Sequence, residues 1–172
     1  MLDAPGAPTD SAEQRRHWLD RLDRAEARLL AHARAGMPAG LTDADAATGE
    51  RWDAGQVWAH LAEFGDYWLH ELRLVLAGTG TEPTPFGRVK SDPVRIAAIE
   101  AGRHRRDAEH VTAVQAAIGR LRDLLAGMDD AAWARVGRHQ TLGDLDVPAQ
   151  LQHFHVGHYE EHADQLDGLR AP

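Results

Sequence analysis

The chain contains no cysteine. That excludes disulfide staples, thiolate metal sites and a cysteine nucleophile, and it is the usage expected of a cytoplasmic protein. No apolar run approaches the ~18 residues that a membrane span requires, so no membrane partner is expected. The first five residues, Met-Leu-Asp-Ala-Pro, offer neither a basic nor an apolar segment, so no secretory signal is expected. Basic surplus is missing too: the net charge is −8, and Lys90 is the one lysine among 19 basic residues. A sequence-independent phosphate grip needs clustered cations, so no nucleic-acid partner is expected. β-Branched residues are scarce and no alternating run stands out, which argues against a β fold.

What is present is a chain of 172 residues, 43% hydrophobic and 27% charged, the size and balance of one globular domain. Residues 1–10 hold two prolines and a glycine without periodicity and read as a loose tail ahead of a single domain over 11–172. Four segments then show helical apolar spacing. The first covers residues 11–35, with Ser11 as N-cap and Trp18, Leu22, Ala25 and Leu29 as its stripe. The second covers 53–77, with Val57, His60, Leu61, Phe64, Trp68, Leu72 and Val75 along one side. A third, 92–127, starts at Asp92-Pro93 and carries Gly102 as a point of interruption. The fourth runs over 148–169, preceded by a short turn at 129–135 and a small hairpin or loop at 137–147. The reading is an all-α four-helix bundle whose connections, about 14–18 residues each, are long enough to shape a site.

Eleven histidines are the second compositional feature. His158 and His162 lie four apart, hence on one helical face with Cβ atoms ~5–6 Å apart. A His-x-x-x-His spacing is expected about once by chance in this composition, so position has to narrow it. Leu151, Phe154, His155, His158, His162, Gln165 and Leu169 share one stripe at about 100° per residue. Its apolar ends mark it as inward-facing, and its middle holds imidazoles where leucines normally sit. His60 interrupts the apolar side of the second segment in the same way. Three nitrogens from two helices, with an open fourth position, form the catalytic type of metal site. His155 stays open between a fourth ligand and a wall of the site. Glu161, Tyr159, Gln165 and Glu63 are candidates to orient the imidazoles. Arg103, Arg106 and His110, on the third segment, read either as a cleft that binds a carboxylate or as a solvated rim. The remaining histidines, His17, His32, His70, His104, His139 and His153, read as surface residues.

The run from Trp52 to Ala62 (Trp-Asp-Ala-Gly-Gln-Val-Trp-Ala-His-Leu-Ala) resembles the opening of the second helix in the DinB-like superfamily. The run from His158 to Leu166 resembles that family's last-helix signature, H-x-x-x-H-x-x-Q-[IL]. The two stand 98 residues apart, His60 to His158. The resemblance implies an up-down-down-up bundle with a long second connection. It further implies a divalent metal, zinc or nickel foremost with iron or manganese as further choices, held at His60, His158 and His162. Implied partners are a small-molecule substrate and a second copy in a homodimer. The activities it implies include transfer of a low-molecular-weight thiol to an electrophile. With no cysteine present, such a thiol has to be exogenous, and the arginine- and alanine-rich composition of a GC-rich genome points toward mycothiol. Metal-dependent hydrolysis and non-catalytic metal or small-molecule binding are the alternatives.

Overall fold

A computed structural model of the chain describes residues 10–46 and 48–169. Apart from Asp10, the expected tail lies outside the described residues. Asp10, not Ser11, caps the first helix: its carboxylate accepts the Glu13 N–H at 2.7 Å, ahead of α1 (Ser11–Ala35). Helix α2 (Ala54–Ala77) opens on a capping box in which Asp53 and Gln56 bond each other's backbone N–H groups. The remaining elements are β1 (Thr84–Phe86), α3 (Pro93–Gly102), α4 (Asp107–Gly127), α5 (Asp130–Trp133), β2 (Val136–His139), β3 (Gly143–Asp146), α6 (Val147–Phe154) and α7 (Val156–Gly168).

The long helices form a four-cornered bundle: α1 packs on α4 and α7, and α2 packs on the same two. Their directions follow from cross-helix pairs. Arg21 meets Glu160 and Arg28 meets Asp167, so α1 and α7 ascend together. Arg15 reaches Met128 while Arg122 reaches Asp23, so α1 and α4 are opposed. His60 lies against His162 and Phe64 against Tyr159, so α2 opposes α7. The course is up, down, down, up, as the family resemblance implies. Trp18, Leu22, Ala25 and Leu29 of α1 are all buried, together with Trp58, Leu61, Phe64, Leu69 and Leu72 of α2. Each buried leucine or phenylalanine among them contributes about 1.5–3 kcal/mol, so apolar faces hold the bundle together.

The third and fourth segments are each broken, the third just after Gly102, the interruption expected there, and the fourth at a point not expected from the sequence. The third separates into α3 and α4 at residues 103–106, which lets α3 lie on α2 while α4 reaches both α1 and α2. The fourth breaks at His155, which leaves helical geometry (φ −134°, ψ −99°) between α6 and α7. Gly157 shows why the rods meet so closely: a Cβ there would stand 2.1 Å from the Gln152 carbonyl oxygen. The expected hairpin is present as β2–β3, turning ahead of Gly143 (φ +76°). Strand β1 adds to it in parallel, Thr84 opposite Gly137. His139, expected at the surface, is buried beneath that sheet, its ring facing the Arg88 carbonyl at 3.3 Å. Among the described residues, no helix is long and apolar enough to cross a membrane.

Candidate metal centre

His60 sits two turns into α2, between the buried Val57 and Phe64, while His158 and His162 occupy successive turns of α7. Because α2 and α7 are antiparallel neighbours, the three rings meet. His158 Nε2 lies 3.1 Å from His60 Nε2 and 3.0 Å from His162 Nε2, and one nitrogen from each ring falls within 4.8 Å of the others. Two nitrogens bound ~2.0–2.1 Å from one tetrahedral ion stand about 3.3–3.4 Å apart, so the spacing suits a shared cation.

The far side of each ring carries the argument further. His162 Nδ1 is 2.8 Å from Gln165 Oε1, and His158 Nδ1 is 3.2 Å from Glu161 Oε2. Both partners are acceptors, so the ring protons sit on Nδ1 and the lone pairs on Nε2. Glu63 Oε2 stands 3.7 Å from His60 Nδ1, beyond hydrogen-bond distance. Its other oxygen is bound by Arg88, whose guanidinium lies 3.9 Å from the centre of the Tyr67 ring. His158 and His162 therefore each have an orienting acceptor three residues further along α7, whereas the Nδ1 of His60 has no hydrogen-bond partner among the described residues. Lone pairs then converge on lone pairs, an arrangement that a cation resolves and a proton network does not.

Electrostatics keep His60 and His162 neutral. Burial, then the neighbouring His162 and His158, hold His60 well below the ordinary imidazole range; burial and His158 act on His162 in the same direction. The hydrogen bond with His158 pulls the Glu161 carboxyl down to about 2, so it is ionised at neutral pH. Neutral imidazole is the ligand form for zinc, nickel, copper and iron.

The rings open onto a cavity of about 560 Å³ walled by the α1–α2 connection, with Thr42, Trp52, Lys90 and Arg95 on its lining. Thr42 pins that connection, donating its N–H to the Trp52 carbonyl (2.8 Å) and accepting the Trp52 N–H on its hydroxyl (2.9 Å). The Trp52 ring is thereby laid 5.2 Å from His60 and parallel to His162 at 6.4 Å. His158 is the most open of the three ligand candidates, with 23% of its side chain exposed.

Other candidates land elsewhere. His155 is buried, and burial lowers it to about 3, but it is not part of the three-ring group, because the helix break displaces it from the His158 stripe. Arg103 is tied to Asp53 (2.5 Å) and Glu100 (3.1 Å) at the start of α2. Arg106 pairs with Glu109 at the surface, and His110 is buried outside the cavity lining. Tyr159 is a core residue whose hydroxyl lies over Gly65. The basic groups that do line the cavity, Arg95 and Lys90, were not among the sequence candidates. Arg95 stands four residues before the buried Ile99 on α3, a spacing that places both on one face.

No family model matches the chain, and no curated protein does. Among solved structures it resembles YfiT from Bacillus subtilis, described as a probable metal-dependent hydrolase with an unusual four-helix bundle topology. The TM-score is 0.70 at 22% identity, covering 97% of this chain and 91% of that one. The two chains share a four-helix bundle fold. At this identity the likeness speaks for the bundle topology alone.

Proposed function

We propose that the chain is a divalent-metal-dependent hydrolase of small esters or amides, its metal held by His60, His158 and His162. The observation that carries this reading is the convergence of three imidazole nitrogens at the inner end of a cavity. The description of YfiT as a probable metal-dependent hydrolase supports it. A cation in such a site supplies Lewis acidity toward a carbonyl and toward water. The chain's own residues supply position: Gln165 and Glu161 orient the rings of His162 and His158, and Trp52 covers His60 and His162. A carboxyl held as low as that of Glu161 is a poor proton acceptor at neutral pH, so its role is orientation.

A second reading, transfer of a low-molecular-weight thiol such as mycothiol to an electrophile, draws on the cavity volume. Some 560 Å³ falls within the ~300–1,000 Å³ of drug-sized pockets and leaves room for two reactants. Untagged protein, analysed for metal and then reloaded, is assayed on nitrophenyl esters and on halogenated or epoxide electrophiles, with and without mycothiol. Chelator-sensitive ester cleavage that ignores thiol is the expected result. Consumption of electrophile only when thiol is present replaces the hydrolase with the transferase. Metal and ligand binding without any turnover overturns both in favour of a binding protein.

A further inference from the structure

Arg95 is the one cavity-lining arginine, and it is held in place without being neutralised. Its Nη1 donates to the Lys90 carbonyl at 2.9 Å, and its guanidinium carbon stands 5.3 Å from the centre of the Trp52 ring. That ring is the same one laid against His60 and His162. Several other half-buried arginines have carboxylates: Arg21 has Glu160, Arg88 has Glu63, Arg103 has Asp53 and Arg122 has Glu26. Arg15 and Arg135, which like Arg95 form no ion pair among the described residues, lie outside the cavity lining. Arg95 forms no ion pair among the described residues. A guanidinium presents five N–H donors in a planar fork, so most of its hydrogen-bonding capacity stays available.

We propose that Arg95 is the anion anchor of this cavity, and that the substrate is a carboxylate whose reacting bond is thereby aimed at the three-histidine centre. The inference rests on the reading of that centre as a metal-dependent site and adds the chemical class of its substrate. Of the five carboxylates on the lining, Asp45 is bound by Lys90, Asp164 by Arg28, and Glu161 is engaged with His158. Asp43 and Glu50 are the acidic charges that the anchor has to outweigh, and neither is within ion-pair distance of Arg95. The stacked indole and the backbone bond fix the fork before a ligand arrives, which lowers the ordering cost of binding.

The test uses benzoate as the probe and benzamide as its neutral isostere, titrated at low ionic strength into nitrogen-15-labelled, metal-loaded protein. Benzoate is expected to shift the Arg95 Nε–H and Trp52 indole N–H resonances saturably, with benzamide binding roughly tenfold more weakly or worse. Arg95→Gln removes the preference for benzoate, and Arg95→Lys, which keeps the charge without the fork, restores part of it. Equal response to the two probes, or an undiminished preference in Arg95→Gln, overturns the proposal and leaves Arg95 a surface cation. The titration is repeated after chelation, with metal content measured separately. A preference that survives chelation belongs to Arg95 even if the chain proves to bind no metal; one that vanishes with the metal belongs to the centre and sinks the anchor.

Discussion

Helix α7 has two polar seams, and they solve opposite problems. Against α1 it sets Glu160 to Arg21, Asp164 and Asp167 to Arg28, and Asp167 to His32. Every donor there meets an acceptor, and two of the carboxylates, Asp164 and Asp167, are exposed, so the seam is complete as it stands. Against α2 the same helix turns His158 and His162 toward His60, and acceptors face acceptors. Burying polar groups without partners costs roughly 1–3 kcal/mol each, so that seam is under-satisfied by design. The first seam is a matter of surface electrostatics, the second a set of ligand atoms suited to a positive ion.

The largest effect follows from removing the ring common to both close contacts. His158→Ala should take bound metal from one equivalent to near none, measured by elemental analysis of untagged protein. Retention of a full equivalent would place the metal elsewhere and erase the contrast between the seams.

Acid gives a smaller, graded effect. His60, His155 and His162 are held below their ordinary values by burial, His155 at about 3. Below pH ~6.5 the unfolded chain takes up protons that the folded chain refuses. Stability of the metal-free protein is therefore full above that pH and lost as pH falls toward the folded values. The loss is roughly 1.4 kcal/mol per pH unit for each ring that stays neutral. Urea unfolding at pH 7, 6 and 5 measures the slope, and a flat profile contradicts it.

The smallest effect belongs to the α1 seam. Arg28→Ala breaks two exposed pairs and should cost no more than about 1 kcal/mol, with metal content unchanged. A loss of metal in that variant would show that the two seams are coupled through α7.

The legible part of this protein is the part governed by local geometry. Trp18, Leu22, Ala25 and Leu29 share a face because a helix turns about 100° per residue, and all four are buried. The same periodicity turns His60 inward between Val57 and Phe64, and sets His158 and His162 on one side of α7. What escaped the reading depends on contacts between distant segments. The close packing of Gly157 on Gln152 accompanies the break that removes His155 from the stripe. Strand β1 exists because Thr84 pairs with Gly137, and that sheet buries His139. Arg95 became visible only once Trp52, 43 positions earlier in the sequence, was found beneath it.

Residue order alone therefore fixed which side chains share a helical face, since backbone rotation per residue is the same wherever the helix stands. Which faces meet, and in what register, came from the packing of α2 against α7 and from the long α1–α2 connection. Those depend on shape complementarity between segments up to about a hundred residues apart, and no local repeat encodes it.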